Sequence, residues 1–110
     1  MYREFIETTS FQKLWKELDL TEEDLRNLQF VLMKYPEKGD VIPGTEGIRK
    51  IRIALNHNGK RGGARVIYVD FFTKEVTILL AVYSKNHKSD LSFEEKRILN
   101  HLIKEIKKGL

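Results

Sequence analysis

The sequence predicts an α+β domain with the element order β-α-α-β-β-β-α, in which helices pack on one face of an antiparallel sheet. Three observations predict this architecture. Apolar residues recur at helical spacing in residues 11–32 and 98–106, and they alternate with polar residues in residues 48–55. A chain of 110 residues with 41% hydrophobic residues also suits one core, so residues 1–110 are expected to form a single domain.

The first half predicts a strand followed by a helical hairpin. Residues 2–7 suit a short strand with Phe5 turned inward. Thr8 to Ser10 offer capping hydroxyls before four apolar residues at helical spacing, which are Phe11, Leu14, Trp15 and Leu18. Thr21 to Asp24 has the form of a capping box and opens a second helix. Pro36 ends that helix, because the residue before a proline is disfavoured in the α region.

The second half predicts three strands and a final helix. Residues 48–55 form a strand that separates Ile51 and Ile53 from Lys50 and Arg52 on opposite faces. A glycine-rich loop at residues 56–63 leads to strands at residues 64–72 and 76–83. The last helix begins near Ser92 and runs to about residue 108, with apolar residues on one stripe.

Several kinds of site are excluded or disfavoured. The chain has no cysteine, so it has no disulfides, thiolate zinc sites or cysteine nucleophiles, as suits a reducing cytoplasm. No apolar run approaches the roughly 20 residues of a membrane span, so a soluble, cytoplasmic protein without membrane contact is expected. The glycine-rich loop joins two strands and does not open a helix, which argues against a nucleotide phosphate loop. Because no metal-ligand spacing occurs, we expect neither a metal nor a cofactor.

Positive charge is concentrated in the middle of the chain. Residues 1–46 carry six Lys and Arg against ten Asp and Glu, whereas residues 47–74 carry seven against one. Lys50 and Arg52 are two residues apart on a strand, about 7 Å, and so leave the same face of the sheet. Arg65 begins the next strand, and Tyr83 and Lys85 end the last one. These five side chains are expected to converge on a surface for a polyanion such as RNA, the alternative being a solvated polar sheet face.

The chain resembles HigB-type toxins of the RelE superfamily in five segments that run through nearly its whole length. The segments are FQKLW at residues 11–15, YPEKGDVIPGT at 35–45, GIRKIR at 47–52, GKRGGARVIY at 59–68 and LAVYSKN at 80–86. The resemblance implies a RelE-like fold, shared with small microbial ribonucleases. It also implies a toxin of a type II toxin–antitoxin system, acting as a metal-independent endoribonuclease that cuts mRNA in the ribosomal A site.

The resemblance also implies which residues act. Lys50 and Arg52 match the family's cationic pair, Arg65 its arginine on the following strand, and Lys85 its cation at the end of the last strand. The family's catalytic tyrosine near the last helix is absent, since Leu91 and Phe93 stand there. Tyr83 or His87 is the candidate in its place. Arg49, Lys60 and Arg61 are expected to contact RNA backbone.

The implied partners are the ribosome with its mRNA and a HigA-like helix-turn-helix antitoxin, with operator DNA bound only through the antitoxin. Two alternatives stay open. The basic face could clamp RNA or the ribosome without cutting, or the protein could serve only to hold a regulatory antitoxin.

Overall fold

The computed structural model describes residues 2–54, 63–84 and 90–110. Its elements follow in chain order: strand β1 (Glu4–Glu7), helices α1 (Thr9–Glu17) and α2 (Glu22–Lys34), strands β2 (Asp40–Val41), β3 (Ile48–Ile53), β4 (Ala64–Phe71) and β5 (Val76–Ser84), and helix α3 (Phe93–Lys108). A single 3₁₀ turn, Phe72–Lys74, joins β4 to β5. The five strands form one sheet in the order β1-β5-β4-β3-β2. The predicted α+β class and element order are confirmed, with the two-residue β2 as an addition.

Local sequence explains where each helix begins. Thr8 caps α1 by accepting a hydrogen bond from the backbone N–H of Phe11. Both α2 and α3 open with a complete capping box, formed by Thr21 with Asp24 and by Ser92 with Glu95. Each box satisfies backbone N–H groups that have no partner within the helix.

The sheet is not purely antiparallel. β1 pairs in parallel with β5, whereas the other neighbours pair antiparallel. The helical hairpin of α1 and α2 carries the chain from β1 at one edge to β2 at the other. The strand prediction was therefore right in position, but the antiparallel prediction was wrong for β1.

Helices cover both faces of the sheet, so the prediction that they share one face was wrong. Residues of α1 and α2 form one buried cluster with Val66 and Tyr68. On the other side Ile103 of α3 forms a second cluster with Ile67 and Val69. All four of these consecutive β4 residues are buried, and a strand that is apolar on both sides needs cover on both. The side covered by α1 and α2 is called the hairpin face below, and the other the α3 face.

Tyr68 ties the hairpin face to the turn after α2. Its buried hydroxyl accepts a hydrogen bond from the backbone N–H of Gly39 at 2.9 Å and donates one to the carbonyl of Pro36, also at 2.9 Å. Burial raises the pKa of this phenol above its ordinary value, so it stays protonated well into the alkaline range.

We expect Tyr68→Phe to lower the free energy of unfolding by about 2–3 kcal/mol, because it removes both hydrogen bonds and leaves the Gly39 N–H without its acceptor. Urea unfolding measures this change. The matched control is Tyr35→Phe, at a ring that is 60% exposed, and it should shift stability by less than about 0.5 kcal/mol. Equal effects of the two substitutions would contradict the role given to Tyr68.

None of the described helices is long and apolar enough to cross a membrane.

Candidate functional site

Three predicted site residues form a row across the middle of the sheet. The strand register pairs Arg52 of β3 with Arg65 of β4, and Arg65 with Tyr83 of β5. Directly opposed residues on neighbouring antiparallel strands have their Cβ atoms about 4.5–5.5 Å apart. Lys50 lies two residues from Arg52 on β3 and so projects from the same face. These four residues, called the cationic row below, therefore share the α3 face.

A bulge in β5 brings Tyr83 onto that face. Ile67 pairs with Ala81, but the next residue, Tyr68, pairs with Leu79, so Leu80 is an extra residue in the ladder. Leu80 and Ala81 both join the cluster beneath α3, which interrupts the strand's alternation. If the side chains of β5 alternated strictly from Leu79 onwards, Tyr83 would project from the hairpin face. Bulges of this kind commonly re-aim a side chain next to a functional site.

Arg65 is the side chain of the row whose surroundings most favour an anion. Its Nη1 atom is shielded from solvent and has no hydrogen-bond partner within the described part of the chain. Arg52 lies directly across from it, and like charges in that relation destabilise a sheet. A phosphate group would supply the missing acceptor and offset the repulsion, and the planar guanidinium suits two phosphate oxygens at once.

Lys50 makes an ion pair with Asp90, which lies just ahead of α3. The Lys50 Nζ atom donates a hydrogen bond to Asp90 Oδ1 at 2.8 Å. The hydrogen bond and the charge of Lys50 hold the pKa of the Asp90 carboxyl below its usual value, and Lys96 and Arg65 add to this effect. Asp90 is therefore ionised throughout the neutral range, and its carboxylate marks a position where an anion is stable beside the cationic row.

Tyr83 contacts helix α3 through Glu95. The Tyr83 hydroxyl donates to Glu95 Oε2 at 3.4 Å. Burial, the charge of Glu95 and this hydrogen bond together raise the pKa of Tyr83 above its ordinary value. The phenol is thus neutral at physiological pH, where it can donate or accept a hydrogen bond but does not carry charge.

The other predicted residues are not placed in the row. Arg49 projects from the hairpin face opposite Tyr68, and its Nη1 donates to the carbonyls of Glu37 at 3.1 Å and Gly39 at 2.6 Å. Its assignment to RNA contact stays a prediction. The remaining predicted residues are Lys60, Arg61, Lys85 and His87, and all four lie outside the described ranges.

Sequence reasoning missed Asp90 and Glu95 as neighbours of the site. The only signal was the Ser92–Glu95 capping box, which fixes where α3 begins but not what its first turn contacts. No group of three or more potential metal-ligating side chains occurs in residues 2–54, 63–84 and 90–110.

Comparisons with solved structures identify the fold. A double mutant of the E. coli toxin RelE in the free state superimposes with a TM-score of 0.59 at 16% identity, covering 89% of this chain and 97% of that one. The isolated E. coli RelE toxin gives 0.55 at 16% identity, with coverages of 92% and 99%. A chain of the intact E. coli RelBE toxin–antitoxin complex gives 0.56 at 17% identity, with coverages of 76% and 96%.

The family assignment comes from the sequence itself. The profile of the family described as "RelE toxin of RelE / RelB toxin-antitoxin system" matches residues 4–109, from the first residue of β1 to just beyond α3. The match spans every element of the sheet and all three helices, and the solved structures agree with it in fold. This chain belongs to the RelE toxin family.

Proposed function

We propose that this chain is a single-domain toxin that cuts mRNA on the translating ribosome, in the cytoplasm, by attack of a ribose 2′-hydroxyl on the adjacent phosphodiester. The observation that carries the proposal is the buried Arg65 Nη1, which has no hydrogen-bond partner among the described residues and belongs to a residue set between Arg52 and Tyr83 on one sheet face. Family membership supports the class of activity.

The reaction proposed for this row needs no metal. The 2′-oxygen attacks phosphorus, the bond to the 5′-oxygen breaks, and the products carry a 2′,3′-cyclic phosphate and a 5′-hydroxyl. Arg65 faces the charge that develops on the non-bridging oxygens, while Lys50 and Arg52 add to the positive field. Cations fixed in place before reaction stabilise such charge without the reorganisation that water requires.

Two protons move in this reaction: the 2′-hydroxyl loses one to a base, and the leaving 5′-oxygen gains one. Tyr83 supplies the neutral hydroxyl of the cationic row. Lys85 is proposed to protonate the leaving 5′-oxygen or to hold the scissile phosphate. His87 is proposed as an alternative base, as the family resemblance implies. Lys60 and Arg61 are proposed to contact ribosomal RNA backbone, where their charge contributes affinity but not sequence selectivity. The ribosome supplies the substrate geometry that a site without a strong base lacks.

An antitoxin partner is proposed on two grounds. The RelE family is defined as part of a toxin–antitoxin system, and a structurally similar chain was solved in a complex with its antitoxin. A HigA-like helix-turn-helix antitoxin that carries the pair to operator DNA is the form that the sequence resemblance implies. Purification of this chain with its genetic neighbour identifies the partner directly.

The decisive experiment combines the purified protein with ribosomes programmed with a short mRNA. Cleavage should release fragments with 5′-hydroxyl and 2′,3′-cyclic phosphate ends. The matched control is the same mRNA with 2′-deoxynucleotides in the A-site codon, which removes the nucleophile but keeps the phosphates. We expect the deoxy-substituted mRNA to stay intact.

Two results would contradict the proposal. Cleavage of the deoxy-substituted mRNA would exclude attack by the 2′-hydroxyl. Ribosome binding without any new 5′ ends, together with a lack of growth arrest on expression in E. coli, would show instead a clamp or an antitoxin-holding protein.

A further inference from the structure

Glu95 makes contacts in two directions from the first turn of α3. Its Oε1 atom accepts a hydrogen bond from the backbone N–H of Ser92 at 2.8 Å, and Ser92 Oγ accepts one from the Glu95 N–H at 3.1 Å. Its Oε2 atom accepts the hydroxyl of Tyr83 at 3.4 Å. One carboxylate therefore joins the capping box of a helix to the end of the cationic row.

We propose that Glu95 is a positioning residue of the cleavage site, which acts through Tyr83 by directing the phenolic hydrogen towards α3 and the oxygen lone pairs towards the substrate. This inference rests on the proposed function. Glu95 itself contacts neither the scissile phosphate nor the ribose in this scheme.

The capping box gives Glu95 a fixed orientation. A carboxylate on a free side chain loses rotational entropy when it holds a partner, and that cost cancels much of the gain. Here one oxygen is already held by the backbone of Ser92, so the second oxygen meets Tyr83 with less freedom left to lose. Ile103 of α3 and Leu91, just ahead of the helix, are both buried against the sheet, and they keep this turn over the α3 face.

The direction of the phenolic hydrogen decides what Tyr83 can do. A hydroxyl that donates its hydrogen to Glu95 can interact with a substrate only as an acceptor. Tyr83 is paired with Arg65 across the strands, so Tyr83 lies beside the residue proposed to face the phosphate. The substrate group that both donates a hydrogen bond and lies beside the scissile phosphate is the ribose 2′-hydroxyl. Orientation of that hydroxyl is the contribution that we assign to the Tyr83–Glu95 pair.

The first test measures the contact without any substrate. Glu95→Gln keeps the capping box, because glutamine serves at this position as glutamate does, but it removes the charge. We expect the pKa of Tyr83, followed by NMR of ring-labelled tyrosine, to fall relative to wild type, since the charge of Glu95 and its hydrogen bond to the phenol add to the effect of burial in raising that pKa. Glu94→Gln is the matched control, because Glu94 pairs with Arg97 on the helix surface. An unchanged titration of Tyr83 in Glu95→Gln would overturn the inference.

The second test is a double-mutant cycle on ribosome-dependent cleavage. We expect Tyr83→Phe and Glu95→Gln each to lower kcat by about 10-fold with KM unchanged, as misplacement of a reacting group can cost up to about 100-fold. The double variant should be no slower than Tyr83→Phe alone, because Glu95 acts only through the phenol. Glu94→Gln should cleave like wild type.

Each failure has a distinct meaning. If Glu95→Gln slows cleavage equally with and without the Tyr83 hydroxyl, Glu95 does not act through Tyr83 and the inference is wrong. If the wild-type protein cleaves no mRNA, the proposed function fails and takes the catalytic role of Glu95 with it. The titration then still reports whether the two side chains interact.

Discussion

Arg65→Ala is expected to lower the rate of mRNA cleavage on the ribosome by about 100- to 1,000-fold, the range measured when one preorganised donor is removed from a transition-state site. The reason is the position of Arg65 in the cationic row. Its Nη1 atom is buried without a hydrogen-bond partner in the described residues, so a bound anion would offset the cost of holding that cation in place. Expression of this variant should no longer arrest growth.

A measurement of ribosome binding and a charge-matched control variant distinguish a loss of catalysis from a general loss of positive charge. Arg26→Ala removes the same side chain from an exposed position on α2, which packs on the hairpin face, and it should cleave like wild type. Arg65→Lys keeps the charge but loses the planar fork, so an intermediate rate is expected. Arg65→Ala should still bind ribosomes, which is measured by co-sedimentation. Wild-type cleavage by Arg65→Ala would remove the main support for the proposed function.

Gly63→Ala is expected to destabilise the protein by about 3 kcal/mol or more, through strain and overlap together. Gly63 precedes β4 with φ +68°, a left-handed conformation that L side chains rarely adopt. A Cβ atom there would lie 2.0 Å from the carbonyl oxygen of Ile53, which no side-chain rotation can relieve. The backbones of β3 and β4 would have to separate where Ile53 pairs with Ala64.

Gly44→Ala is the matched control. Gly44 also has positive φ, at +77°, but a Cβ atom there meets nothing within 4 Å. It should therefore cost only the backbone strain, about 1 kcal/mol. Thermal unfolding measures the stability of both variants. Gly44→Ala reports the backbone strain alone, and Gly63→Ala reports the strain together with the steric overlap. A Gly63→Ala protein as stable as Gly44→Ala would show that the β3–β4 junction tolerates a wider separation than the structure indicates.

The side-chain periodicity of the strands was predictable, but their register was not. The two-residue spacing of Lys50 and Arg52 placed both on one face, and the sheet confirms that they share a face with Arg65. The alignment of Arg52 with Arg65 is set by the register of β3 with β4, which the two-residue periodicity of the side chains does not fix. Tyr83 was assigned to the site by its place near the strand end, and the bulge at Leu80 is what turns it to the α3 face.

The main fold feature that the sequence prediction missed is that α3 covers the second face of the sheet. Consecutive apolar residues in β4, Val66 to Val69, were the available signal, since such a run indicates a strand buried on both sides. The contacts of Asp90, just ahead of α3, and of Glu95 in its first turn were beyond prediction, because both residues are far from Lys50 in sequence and meet the row only once α3 lies over it.

The parallel pairing of β1 with β5 also sets when the protein can fold during its own synthesis. Residues 4–7 find their sheet partners at residues 76–79, and Tyr83 follows still later in the chain. A nascent chain that stops short of β5 has an incomplete sheet and lacks Tyr83, the last member of the row, so contacts between distant segments must wait for nearly the whole sequence. Under the proposed function, an unfinished copy is harmless to the ribosome that is making it.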